Sequence, residues 1–133
     1  MKVLFDTSAF IALASPKDRY HVEALAKRDR LAEERHPIYT TNAVLYETLN
    51  WLAVKTGPRQ ASRFGREVLH GSAMTIMTLA PEDENGALAV LEKFSQIPLS
   101  FVDASSIHFF NKLGMDRVFS FDRHFVQANV PLL

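Results

Sequence analysis

Short apolar runs alternate along this chain with longer stretches that mix alanine, leucine and charged residues. Lys2 to Phe5 is a β-prone run that stops at Asp6-Thr7-Ser8, residue types suited to cap the helix suggested by Ala9 to Ala14. After the turn residues Ser15-Pro16, Asp18 to Arg35 reads as an exposed helix, and His36-Pro37 stops it. Ile38 to Thr40 is a second brief strand. It leads into a helix from about Asn42 to Lys55, on which Leu45, Leu49, Leu52 and Ala53 share one face, and Gly57-Pro58 closes that helix. Arg59 to His70 makes another helix, and Met74 to Leu79 alternates like a strand. Pro81-Glu82-Asp83-Glu84 opens a helix to about Gln96, with acids where the helix dipole favours them. Leu99 to Val102 reads as a short strand, Asp103 starts a helix that Gly114 ends, Arg117 to Phe121 is a strand, and Val130 to Leu133 adds a candidate edge strand.

Strands separated by helices predict an α/β fold, a mainly parallel sheet covered by helices on both faces. With 133 residues, 47% of them hydrophobic, the chain can fill one continuous core, so residues 1–133 are expected to form a single domain. Neither a repeat nor a low-complexity linker interrupts it. The absence of cysteine excludes a disulfide framework and a thiolate zinc site, and makes a reducing cytoplasm the expected location. The apolar stretch Ala9 to Ala14 is too short for a secretory core or a membrane span, and Asp6 interrupts the run before it, so no membrane association is expected.

Fifteen basic and fifteen acidic residues cancel, which argues against a protein that holds nucleic acid through bulk charge. Charge is uneven locally: Thr48 to Arg66 contains Lys55, Arg59, Arg63 and Arg66 and no acid. Arg59, Arg63 and Arg66 can share one helical face, either as an RNA-phosphate contact or as ordinary solvated surface. Five histidines, His21, His36, His70, His108 and His124, lack metal-ligand spacing and read as structural or surface residues.

Four dispersed acids carry the candidate chemistry. In open parallel sheets the binding crevice lies outside the carboxyl ends of the strands, and Asp6, Glu47, Asp103 and Asp122 each follow a strand or lie early in the next helix. Two ionised carboxylates about 5 Å apart at an effective dielectric near 20 repel by roughly 3 kcal/mol. Such a cluster therefore either takes up protons or gathers a hard divalent cation, and a cation would suit phosphodiester hydrolysis. Taken singly, Asp6, Asp103 and Asp122 read equally well as helix caps, and Glu47, off the apolar face of its helix, as a solvated glutamate.

The segments VLFDTSAFIAL, VLYETLNWL and FVDASSIHFFNKLGMDRVFSFDRHF, in that order, resemble a PIN domain across nearly the whole chain. The closest similarity is to the stand-alone PIN proteins of toxin–antitoxin pairs, the VapC-like ribonucleases. The resemblance implies a three-layer fold with a four- or five-stranded sheet, and a Mg²⁺- or Mn²⁺-dependent endoribonuclease. Asp6, Glu47 and Asp103 would be its main metal ligands and Asp122 would complete or orient the site. It places the family's small hydroxyl residues on Ser8 and Ser120, which could hydrogen-bond the carboxylates or serve as caps. It also implies a homodimer and a VapB-like antitoxin partner. Trp51, one turn after Glu47, could stack a base, although packing is its commoner role. Two other functions stand against this reading. An Asp-nucleophile phosphatase of the haloacid-dehalogenase type would have a second Asp where this chain has Ser8, and a non-catalytic RNA-binding or scaffold PIN domain would be expected to have lost acids that are present here.

Overall fold

The computed structural model describes residues 1–133. Its sheet has four parallel strands in the order β3-β2-β1-β4, formed by β1 (Val3–Phe5), β2 (Ile38–Thr41), β3 (Thr75–Met77) and β4 (Arg117–Phe119). Seven helices surround it: α1 (Thr7–Ala14), α2 (His21–Glu33), α3 (Asn42–Lys55), α4 (Pro58–Leu69), α5 (Pro81–Lys93), α6 (Phe101–Lys112) and the short α7 (His124–Gln127). This is the mainly parallel α/β sheet with helices on both faces that the alternation of runs predicts. None of the helices is long and apolar enough to cross a membrane.

Alternation within β1 builds the two halves of the core. Val3 and Phe5 join a cluster with Ala9, Phe10, Ala24, Leu31, Val44 and Leu45, whereas Leu4 joins Ile107, Phe110, Val118, Phe125 and Val130 on the opposite face. All three β1 residues are buried, as a central parallel strand requires. Phe5 meets Phe119 of β4 edge-on, with ring centroids 4.8 Å apart. Burial of each such side chain contributes roughly 1.5–3 kcal/mol.

Turn chemistry matches the expected stops at two glycines. Gly57 joins α3 to α4 with φ 107°, and Gly114 follows α6 with φ 59°, conformations that favour a residue without Cβ.

Two expectations fail. Leu99 to Val102 is not a strand, because α6 already begins at Phe101. The Ser100 hydroxyl accepts from the Asp103 N–H at 3.0 Å while the Asp103 carboxylate accepts from the Ser100 N–H at 3.0 Å. This reciprocal box satisfies donors that a lone strand would leave to a neighbour, so Asp103 is the third residue of the helix and not its first. At the C-terminus, Val130 to Leu133 contributes one bridge, Leu132 to Val118, and no strand. Pro131 has no N–H to offer a ladder, and its carbonyl instead accepts from Val118 at 3.0 Å.

Candidate active site

β1 ends at Phe5, and the next residue, Asp6, is already turned out of the sheet. Its N–H still donates to the Phe119 carbonyl at 3.1 Å, which anchors it between β1 and β4. Although Asp6 occupies the N-cap position of α1, its carboxylate makes no capping hydrogen bond. The cap reading therefore fails for this residue. It is buried, and one of its oxygens, Oδ1, has no hydrogen-bond partner.

The other oxygen is held by hydroxyls that arrive from far along the chain. Ser120 Oγ donates to Asp6 Oδ2 at 3.0 Å, Ser8 Oγ lies 3.0 Å from Ser120 Oγ, and Ser8 Oγ is a longer 3.4 Å from Asp6 Oδ2. Each hydroxyl has one proton, so the consistent direction is Ser8 to Ser120 to Asp6. Backbone N–H groups close the arrangement: Phe121 donates to Ser8 Oγ at 2.9 Å and Asp122 to Ser120 Oγ at 3.0 Å. The loop after β4 is thus tied to the start of α1 through the two serines.

Burial, the largest cause, and the nearby Asp103 charge raise the Asp6 carboxyl to about 7, with Glu47 adding to the rise. Donors from Thr7 and Ser120 oppose it. Asp103 is also raised, first by burial and then by Asp122, while the Ser100 donors and His124 pull it down. Asp6 is therefore within electrostatic reach of Asp103 and Glu47, and Asp103 within reach of Asp122. Asp122 retains a capping duty, accepting from the His124 N–H at 2.9 Å, and its Oδ1 is 3.2 Å from His124 Nδ1.

Glu47 comes within reach of Asp6 because the buried stripe of α3 differs from the apolar face read in the sequence. The buried residues are Val44, Leu45, Thr48 and Leu52. Thr48 is polar, but its hydroxyl donates to the Val44 carbonyl at 2.8 Å, so it enters the core without leaving a donor unmade. With Val44 and Thr48 in the stripe and Leu49 and Ala53 only half-buried, its centre lies roughly 70° from the apolar face read in the sequence, which brings Glu47 from the far side to the flank. Glu47 is half-buried there.

These side chains fit a hard divalent cation by donor chemistry: all are carboxylate oxygens, and Asp6 Oδ1 is a buried acceptor without a donor. No group of three or more acids and histidines is placed to hold a metal ion as the side chains stand. Unneutralised carboxylates repel, and Mg²⁺ usually takes one or two carboxylates and keeps its waters, so a closed cage is not required.

Other singled-out residues lie elsewhere. A groove of about 1230 Å³ opens between α1, α2 and α4, bordered by Trp51 and Arg63 and by none of the four acids. Arg66 borders a separate depression between α3 and α4 with Leu49 and Leu69. Arg59 is exposed on α4. None of the four acids lines either depression. His124, read from the sequence as a structural or surface residue, stands against Asp122 and lowers the Asp103 carboxyl.

The sequence pattern of the PIN domain matches residues 3–131. The chain belongs to the PIN domain family. Among solved structures, this PIN domain is similar to VapC20 of Mycobacterium tuberculosis, a sarcin-ricin-loop-cleaving toxin, with 26% identity, TM-score 0.87 and 98% of each chain covered. It shares its fold with VapBC2 of Rickettsia felis bound to a DNA fragment from their promoter, at 14% identity and TM-score 0.72, covering 100% of this chain and 98% of that one. The DNA-bound VapBC of Salmonella typhimurium has the same fold at 12% identity and TM-score 0.74, covering 99% and 96%. No curated protein sequence matches.

Proposed function

We propose that this PIN domain is a metal-dependent endoribonuclease and the toxin of a toxin–antitoxin pair, acting on RNA in the cytoplasm. The carrying observation is Asp6: a buried carboxylate with one unpartnered oxygen, raised to about 7, beside Asp103 and Glu47. A group this unfavourable to folding is a functional-site candidate, because the Ser120 and Thr7 donors only partly offset its burial and no cationic side chain faces it.

Asp6, Glu47 and Asp103 would hold Mg²⁺ or Mn²⁺, directly or through water, with Asp122 completing or orienting the set. When bound, the ion supplies charge compensation at the phosphate and activation of water for hydrolysis. The protein's own contribution is positional. Ser120 and Ser8 fix the Asp6 carboxylate, the Ser100 box fixes Asp103, and the tie between Phe121 and Ser8 holds the loop that bears Asp122.

Similarity to VapC20 supports the ribonuclease reading and makes the sarcin-ricin loop the first substrate to test. The toxin role, a VapB-like antitoxin and a homodimer rest on family membership and on the VapBC assemblies that share the fold.

The test incubates purified, antitoxin-free protein with total cellular RNA and Mg²⁺ or Mn²⁺, beside an EDTA control and Asp103→Asn, and maps new RNA ends. Discrete cuts requiring both metal and Asp103 are expected. Cutting that survives EDTA and Asp103→Asn would refute the proposed site, and an absence of cutting with metal binding intact would favour a silent RNA-binding role.

A further inference from the structure

Phe121 lies between two residues of the acidic site, Ser120, which holds Asp6, and Asp122, which acts on Asp103. Its ring is covered on one face by Tyr20, nearly parallel at 5° with centroids 4.3 Å apart. The Arg19 guanidinium stands 4.7 Å from the centre of the Tyr20 ring. With Phe121 on one face of Tyr20, Arg19 occupies the other, so the stack runs Phe121, Tyr20, Arg19, and Phe121 joins it to the site through its chain neighbours Ser120 and Asp122. Phe121 and Tyr20 are half-buried, and Arg19 is exposed.

The platform is rigid. The Tyr20 N–H donates to Asp18 Oδ1 at 2.8 Å and the His21 N–H to the Asp18 carbonyl at 3.0 Å. Next to it, His21 Nδ1 lies 2.7 Å from the Ala12 carbonyl. These bonds hold the short connection between α1 and α2, so presenting the Tyr20 ring to a ligand would cost little further ordering. Lys27 is already engaged by Glu23 at 3.1 Å and by the Leu133 carbonyl at 2.8 Å. Arg19, exposed and without an ion pair, is the cation that stands over the Tyr20 ring.

We propose that Tyr20 and Arg19 form a nucleobase-stacking site for a nucleotide flanking the scissile phosphate, a specificity-determining element of the reaction proposed above and dependent on that reading. A strand whose phosphate sits at Asp6 and Asp103 must unstack a neighbouring base, and an aromatic face backed by Phe121 and covered by a mobile guanidinium replaces the lost stacking. With zero net charge the chain has little bulk attraction for RNA, so local stacking supplies grip that electrostatics does not. The base inserts between Arg19 and Tyr20, and Arg19 moves to its outer face or to an adjoining phosphate.

The test is a cycle between protein and RNA. Synthetic oligonucleotides spanning a mapped cut carry an abasic residue at each position flanking the scissile bond in turn, and kcat/KM is measured with Mn²⁺ for wild type, Tyr20→Leu, Tyr20→Phe and Arg19→Ala. In wild type one abasic position is expected to lower kcat/KM by about 5- to 150-fold, the worth of one base–aromatic stack. That penalty should vanish in Tyr20→Leu and persist in Tyr20→Phe. Arg19→Ala, an exposed change that leaves folding intact, should weaken cutting of intact RNA more than of abasic RNA. Equal abasic penalties in wild type and in both Tyr20→Leu and Arg19→Ala would overturn the inference while leaving the nuclease reading standing, and would reduce Tyr20 to packing on Phe121. If Tyr20→Leu does not fold, the Arg19→Ala cycle decides alone. Loss of antitoxin inhibition with an unchanged RNA cycle would assign the platform to protein contact and likewise overturn it. Failure of wild type to cut any RNA would remove the nuclease reading and this inference together.

Discussion

Replacing Asp6 with Asn should make the metal-free protein more stable at neutral and alkaline pH. Asp6 is raised from 3.8 to about 7, chiefly by burial and then by Asp103. Between those values the folded protein keeps a proton that the unfolded chain has released, so folding stability falls as pH rises through the window, and the loss is complete above about 7. A shift of roughly 3 units corresponds to about 4 kcal/mol. Local rearrangement around the ionised carboxylate lowers that figure, so about 2–4 kcal/mol is the expected gain for Asp6→Asn at pH 8, on the order of 10 °C in melting temperature for a chain this size. At pH 4 the two proteins should have similar stability. The measurement is urea denaturation of chelator-treated wild type and Asp6→Asn from pH 4 to pH 8, followed by thermal melts with Mn²⁺. Manganese should raise the wild-type melting temperature by mass action and leave Asp6→Asn nearly unmoved. Parallel pH profiles for the two proteins, or an Asn variant less stable than wild type at pH 8, would refute the account of Asp6 as a buried charge awaiting a counterion.

Three further outcomes follow from named contacts. Ser120→Ala removes the 3.0 Å hydrogen bond to Asp6 and should weaken Mn²⁺ affinity by about 10- to 100-fold, read by calorimetric titration. Asp83 is buried, caps its own helix by accepting from the Ala80 N–H at 3.0 Å, and clamps α5 to α6 through Lys112 at 2.8 Å and His108 at 2.9 Å, contacts that hold its carboxyl well below the usual range, led by Lys112. Asp83→Ala should cost about 2–4 kcal/mol in urea denaturation. Because the folded carboxyl is lowered, this stabilisation is present above the ordinary carboxylate pKa and fades on acidification, so the variant's deficit should shrink toward low pH while RNA cleavage at neutral pH is unchanged. Gly86→Ala would place a Cβ into the His108 ring that this clamp pins, and should destabilise the fold, with His108→Ala in the same chain restoring part of the loss.

Much of the architecture is a local matter, and local matters are legible. Short apolar runs separated by helix-forming stretches determine a parallel sheet with helices on both faces, and Gly57 and Gly114 end α3 and α6 because their backbones take positive φ. The positions of the four acids at strand ends and early helical turns were equally visible, as were Ser8 and Ser120 through the family resemblance. Tertiary structure decided which partners those residues meet. Ser120 meets Asp6 across 114 residues and Ser8 across 112, a separation at which no periodicity carries information. Glu47 looked solvated because Leu49 and Ala53 looked like core, whereas α3 buries Val44 and Thr48 instead and so sets Glu47 at the flank of its buried stripe. Leu99 to Val102 was misread because a capping box at Ser100 and Asp103 outweighs β-propensity over so few residues. Asp83, Gly86 and His108 were unremarkable until two helices packed, and Tyr20 and Phe121 were ordinary aromatics until folding stacked one on the other. Sequence pattern determines which backbone a segment prefers. Burial, and the polar partners that burial demands, determines which distant side chains must meet.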